Sequence, residues 1–215
     1  MKGHSERIPE KNFRLFVGKP LFRWVLDKLL SVDEVDLIVI NTDARDILST
    51  HGIESAGKIL IRDRKTEICG DLVSMNRIIE DDLREIDADL YLMSHTTNPL
   101  LSTETIRRAL ETFKDVSDRN RYDSLFTVTA HQARFYRENG AAINHDPNNL
   151  IRTQDLEPWF EENSNLYIFT RKSFTQNGAR IGKRPYLFRQ PRAETVDIDD
   201  MESWVMAEAI ARGHL

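Results

Sequence analysis

Short runs of β-branched and aliphatic residues alternate with amphipathic helical stripes along most of this chain, and that alternation restricts its fold more than any other feature. The first stripe spans 21–30, where Phe22, Val25, Leu26, Leu29 and Leu30 follow Pro20 at the i, i+3, i+4, i+7 spacing of one helix face. VDLIVI at 35–40 is suited to a buried strand and stops at Asn41, Thr42 and Asp43. The pattern continues with a helix at 44–50 stopped by Gly52, a strand at 59–61, and a helix at 74–86 with Met75, Ile78, Ile79, Leu83 and Ile86 on one side. A strand at 90–93, a helix capped by Ser102 or Thr103 and carrying Ile106, Leu110 and Phe113, and a strand at 124–129 extend it. Further strands are expected at 166–170, 186–188 and 196–198, with a last helix over 200–211. Alternation at this spacing predicts an α/β sandwich around a mostly parallel sheet, with ligands bound beyond the carboxyl ends of the strands.

The rhythm breaks from 131 to 163, a polar stretch holding Gly140, Asp146, Pro147, Asn148, Asn149 and Pro158. It is too long for a passive connector and reads as a lid or as an excursion that packs on a second copy. With 215 residues, the chain is expected to be one domain over 1–215. Hydrophobic residues at 40% and charged residues at 30% provide for a substantial core and exclude disorder as the main state. Lys plus Arg number 30 against 35 Asp plus Glu, a net charge of −5, which argues against nucleic acid held on a general basic surface. Apolar runs such as 37–40 are far short of a membrane span, and the N-terminus has no apolar signal stretch. Cys69, the one cysteine, is read as a small packed residue, and a reducing cytoplasm is the expected location.

Four constellations carry candidate chemistry. KGHSERIPEKN at 2–12 gathers Lys2, Arg7 and Lys11 around Gly3 and Ser5, which suits phosphate and equally suits a solvated charged terminus. VDIDD at 196–200 places Asp197 and Asp199 at i and i+2, on one side of an extended segment, where a divalent cation relieves the repulsion between two carboxylates. Asp200 is better explained as a helix cap. SHTTNPLLS at 94–102 is a polar loop at the sheet edge where α/β folds bind ligands, with His95 either base-recognising or structural. In GDLVSM at 70–75, Asp71 and Ser74 are candidate caps, and Ser74 a candidate ligand contact.

Taken in order, these segments resemble the acylneuraminate cytidylyltransferases, or CMP-sialic acid synthetases, with the CMP-Kdo synthetases as relatives. The segment at 2–12 is similar to the family's nucleotide loop R-x-x-S-x-x-x-x-x-K-N, and HTTNPLLS to Q-P-T-S-P-L-R. RTQDLEPWFEENSNLYIF at 152–169 is similar to R-Q-x-x-P followed by N-G-A-I-Y-I, and VDIDD to the family's D-I-D. The resemblance implies a three-layer Rossmann-like nucleotidyltransferase sandwich with a small dimerisation excursion. It implies a Mg²⁺-dependent reaction of CTP with a 2-keto sugar acid, giving the CMP-sugar and pyrophosphate, in a homodimer. Lys2, Ser5, Arg7, Lys11 and Asn12 would hold the nucleotide, with Lys2 and Lys11 acting on the phosphates, and Arg64 and Ser74 would approach the cytidine. His95, Asn163 and Asn165 would contact the sugar, and Asp197 and Asp199 would bind magnesium. Another sugar or nucleotide, or a non-catalytic nucleotide-binding homologue, is the alternative. Lys2 stands where many relatives have arginine, Leu101 where P-L-R has its arginine, and Asn165 where a small residue is usual. The family carries an apolar strand leading into the nucleotide loop, whereas only Met1 precedes Lys2, so that first strand is read as missing before residue 1.

Overall fold

The computed structural model describes residues 1–118 and 121–213. After the irregular loop at 1–14, β1 (Leu15–Phe16) and β2 (Lys19–Pro20) form a small hairpin whose turn holds Val17 and Gly18 at positive φ. Pro20 then opens α1 (Leu21–Leu30). The core elements follow as β3 (Ile38–Thr42), α2 (Arg45–Thr50), β4 (Ile59–Asp63), α3 (Met75–Glu85), β5 (Tyr91–Ser94) and α4 (Thr103–Asp118). They continue with β6 (Ser124–His131), β7 (Trp159–Phe169), α5 (Arg171–Asn177), β8 (Pro185–Arg189) and α6 (Met201–Gly213).

The alternating pattern therefore folds as an α/β protein that departs from the sequence reading at several places, the β1–β2 hairpin and α5 among them. The strand expected at 35–40 runs Ile38–Thr42, because Val35 N–H donates to Val32 O and closes a turn after α1. The segment at 196–198 forms no ladder; it is extended and tied to the sheet end by Ile198 N–H donating to Thr97 O. The irregular stretch is shorter than 131–163, because His131 closes β6 and Trp159 already opens β7, the two residues facing each other in register.

β3 and β4 pair in parallel, with Ile38 opposite Ile59 and Thr42 opposite Asp63. The other four strands lie in the order β5-β7-β6-β8; β6 and β8 are parallel, while β7 is antiparallel to both neighbours. The reversal follows from the connection: the chain leaves β6, makes its excursion over 132–158 and re-enters beside the end it left, which only an antiparallel strand can do. Successive β7 side chains then point to opposite faces. Leu166 and Ile168 pack with Ile106, Ala109, Leu110 and Phe113 of α4, whereas Tyr167 and Phe169 pack with Ile79 and Leu83 of α3 and Phe174 of α5. Helices on both faces make three layers. Among the described residues, no helix is long and apolar enough to cross a membrane.

β3 and β5 lie at the edges of separate sheets. Between them runs a groove of about 490 Å³. Ile38, Val39 and Ile40 of β3 and Met93 of β5 line it, with Val25, Leu26 and Leu29 of α1 and Ile78 and Ile79 of α3. The groove opens at the carboxyl ends of both strands into a polar mouth.

Candidate active site

The mouth is assembled because Ile8, almost fully buried, packs in one cluster with Phe16, Val196, Ile198 and Trp204. This apolar contact brings the N-terminal loop and the VDIDD segment together, although they are almost a chain length apart. Lys11 Nζ consequently donates to Ile198 O at 2.6 Å and lies 3.6 Å from Asp199, while Arg7 pairs with Asp199 at 3.2 Å. Lys2 pairs with Asp71 at 2.7 Å, joining the loop to GDLVSM. Gly3 is required by close approach: a Cβ there would meet Ala44 Cβ at 2.9 Å, and its N–H donates to Asp43 at 2.7 Å. Asn12 clamps the loop to the third polar segment, donating to Lys2 O at 2.8 Å and accepting from the Thr96 hydroxyl at 2.6 Å.

The structure thus brings Lys2, Ser5, Arg7, Lys11, Asn12, Arg64, His95 and Asp199 to the lining of one groove. Asp197 lies beside it. Burial pushes its carboxyl up, and the Asp199 carboxylate adds to that rise while a hydrogen bond from Thr97 opposes it. Asp197 Oδ1 is buried with no hydrogen-bond partner among the described residues. Two neighbouring carboxylates, one with an unsatisfied oxygen, form a hard-oxygen donor pair. That pair fits Mg²⁺ shared with substrate phosphates, and it is too small to be a full protein cage. Asp200 has the role expected of a cap, accepting from Ser203 N–H at 2.8 Å.

Other expected residues are placed differently. The Arg64 guanidinium, though in the lining, already donates to Asn41 Oδ1 and O at 2.9 and 2.8 Å. Ser74 caps α3, accepting from Asn76 N–H, and lines a second cavity of about 230 Å³ that shares Met75 with the main groove. Asn163 and Asn165 do not reach either lining. Asn163 accepts from Thr127 at 2.7 Å and donates to Gln190 at 3.0 Å, while Asn165 donates to Glu194 O at 2.8 Å. Asn163 thus ties β6 and β7 together beside the irregularity near Phe126 and Val128, whereas Asn165 Oδ1 is buried with no hydrogen-bond partner among the described residues.

Sequence reasoning missed Tyr167, Arg180 and Glu162. Tyr167 is buried under the His95 ring, edge-on at 6.5 Å, and burial followed by the bond to Glu162 pushes its hydroxyl up to about 12. Its alternation with Leu166 and Ile168 was the available signal for the face it occupies.

Burial, followed by the charge of Arg180, holds the His95 imidazole down to about 4, and burial holds the Met1 amine down to about 5. Both groups are neutral in the folded protein at pH 7. Unfolded imidazole protonates near 6.5, so the unfolded state binds more protons between that pH and about 4, and stability falls as pH drops through this range. For His95 the loss reaches roughly 3 kcal/mol at its lower limit. His95→Gln is expected to flatten the acid limb of urea-unfolding free energy by about that amount, leaving the Met1 contribution. An unchanged slope between pH 7.5 and 4.5 contradicts it.

A cytidylyltransferase family model matches residues 1–211, and the chain belongs to that family. It is 29% identical over 217 residues to the N-acylneuraminate cytidylyltransferase of Oncorhynchus mykiss, covering 96% of this chain and 48% of that protein. It is 24% identical over 220 residues to a pseudaminic acid cytidylyltransferase of Campylobacter jejuni, covering 97% of this chain and 92% of that one. The chain therefore spans about half the length of the fish relative and most of the bacterial one. A CMP:2-keto-3-deoxy-manno-octonic acid synthetase solved with CTP shares the fold at a TM-score of 0.68 and 15% identity, covering 100% of this chain and 97% of that one. The 4-diphosphocytidyl-2C-methyl-D-erythritol synthase of Anaerococcus prevotii shares it at 0.68 and 12%, covering 98% and 93%.

Proposed function

We propose, from membership of the cytidylyltransferase family, that this chain joins CMP from CTP to a 2-keto sugar acid of the sialic acid class and releases pyrophosphate. The observation that carries the reading is the meeting of Lys11, Arg7 and Asp199 at the groove mouth, where cations and carboxylates converge from opposite ends of the sequence. Lys2, Arg7 and Lys11 neutralise the triphosphate, and Ser5 and Asn12 line its path. Asp197 and Asp199 would hold Mg²⁺, which when bound would supply positive charge to the phosphates and the departing pyrophosphate. The sugar's anomeric oxygen forms a bond to the α-phosphorus, its proton leaves to solvent, and the bond to the pyrophosphate oxygen breaks. No covalent enzyme intermediate is required. Pyrophosphate release with CTP and other nucleoside triphosphates, crossed with N-acetylneuraminic, pseudaminic and 2-keto-3-deoxy-manno-octonic acids, tests the reading. Activity confined to CTP and one such acid is expected. CTP binding without pyrophosphate release with any acid supports the non-catalytic alternative.

The same reading gives a homodimer packed through the excursion. Tyr136, Ile143, Leu150 and Ile151 are exposed there, with Trp159 and Phe160 exposed where β7 begins, an apolar set unusual for a lone surface. Sedimentation equilibrium at micromolar concentration is expected to report twice the 25.0 kDa chain mass. A monomer with full activity contradicts it. The single cysteine fits a reducing cytoplasm.

A further inference from the structure

The second cavity is separate from the phosphate cations and contains a cation of its own. It is lined by Ser74, Met75, Asn76, Glu162, Arg180 and Ile181, with Ala179. Three contacts fix Arg180. Its guanidinium lies 4.0 Å over the centre of the Tyr167 ring, its Nη2 donates to the Tyr167 hydroxyl at 3.0 Å, and its backbone N–H donates to Asn76 at 3.3 Å. The side chain is only 18% exposed. Among the described residues its one carboxylate partner is Glu162, 3.4 Å from the same Nη2. Nε and Nη1 donate to no group among the described residues and are not among the buried atoms without partners, and the residue itself lines the cavity.

A guanidinium held rigid with one unengaged donor on each edge, Nε–H on one and Nη1 on the other, can donate to an anion's oxygen, and a bidentate grip follows when Nη2 exchanges Glu162 for the anion's second oxygen. Glu162 sets the charge that fits. With its carboxylate beside the arginine, a dianionic phosphate is repelled more strongly than a single carboxylate. Around that point the Ser74 hydroxyl, the Asn76 amide and the Glu162 carboxylate are hydrogen-bonding partners for hydroxyl groups. Met75 lines both, so the cavity adjoins the groove where phosphate chemistry is placed. A single carboxylate carried on a polyol is the chemistry these residues recognise.

We propose that Arg180 binds the carboxylate of the acceptor sugar acid and so sets the enzyme's requirement for an acidic sugar. This rests on the reading that the acceptor is a sugar acid. The test uses calorimetric binding of N-acetylneuraminic, pseudaminic and 2-keto-3-deoxy-manno-octonic acids to the full chain with CTP present, together with steady-state kinetics. Wild type is expected to bind its preferred acid on the order of 10²-fold more tightly than the methyl ester of that acid. Arg180→Gln is expected to lose that preference and to raise the KM for the acid by a similar factor, with the KM for CTP within about threefold of wild type. Arg180→Lys, which keeps the charge but not the fork, retains part of the preference. Glu162→Gln is expected to tighten acid binding by releasing the guanidinium from its competitor.

Equal affinity of wild type for acid and ester overturns the inference, and that measurement needs no variant. So does an Arg180→Gln chain that keeps the wild-type preference, or one in which the KM for CTP rises as much as that for the acid. Failure of wild type to bind any of the acids overturns both this inference and the sugar-acid reading. Selective binding without pyrophosphate release leaves Arg180 as the carboxylate ligand and overturns only the catalytic assignment.

Discussion

Asp199→Asn is expected to lower turnover on the order of 10²-fold or more and to raise the Mg²⁺ concentration needed for half-maximal activity. Asparagine keeps the size of the side chain and removes its charge. At this position the charge faces Lys11 and Arg7 and lies near the Asp197 carboxyl, so the substitution leaves the phosphate cations in place and removes half of the carboxylate pair. Folding is expected to change little. Asp199 is half-exposed and its two ion pairs are solvent-screened, each worth about 0 to 1 kcal/mol. Asp200→Asn is the control. Its carboxylate accepts from Ser203 N–H at the start of α6, a role asparagine fills nearly as well. Kinetics across a Mg²⁺ titration separate the two. Full loss of activity in Asp200→Asn with wild-type rate and metal dependence in Asp199→Asn reverses the assignment of the ligand face.

The cluster was legible in its members and not in its assembly. The charges of the N-terminal loop and the carboxylate spacing at 196–200 are visible in sequence, because each is a local pattern. Their convergence depends on Ile8 and Ile198 being buried in one cluster, and a single buried aliphatic residue in a polar loop gives no local sign of its partners. Helix α1 was readable to its ends because Pro20 opens it and its apolar stripe stops at Leu30. The direction of β7 was not, because an apolar strand buried on both faces looks the same whether it runs with its neighbours or against them. Asn163 and Asn165 were equally unreadable: a buried amide that ties strands together and one that binds a sugar have the same residue type, and only their partners distinguish them. Arg180 lies in NGARIGKRP with Lys183 and Arg184 close behind it, and nothing local in that segment marks it as the buried one. Its stacking on Tyr167 is a tertiary event.

Appending Val-Ile-Val-Ile-Val directly before Met1 is expected to raise the thermal midpoint by about 10 °C. The groove between β3 and β5 has the properties of a strand position. Each strand is paired on its other side, to β4 and to β7. Apolar side chains of α1 line the groove on one side and those of α3 on the other. Met1 is already at its end, its amine donating to Asn41 O on β3, and burial holds that amine far below its usual range. An added residue turns this desolvated amine into an amide that donates as a ladder group, which removes the cost of burying a charge. The direction is fixed as well: a strand ending at Met1 finishes where β3 and β5 finish, so it runs parallel to both. A parallel strand covered on both faces calls for an unbroken apolar run, which is why the appended sequence does not alternate. Each side chain buried there contributes about 1.5 to 3 kcal/mol, against about 1 to 2 kcal/mol per residue for ordering the backbone. The balance is a few kcal/mol, and for a domain of this size each is worth about 2 to 4 °C. Asp-Ser-Asp-Ser-Asp at the same place cannot enter the groove and is expected to leave the midpoint within about 2 °C of the unextended chain. Equal midpoints for the two extensions, read by calorimetry at pH 7.5, mean that the groove does not accept a strand. A gain confined to the apolar extension, with amide protection newly shared by β3 and β5 in hydrogen exchange, means that the two sheets close into one.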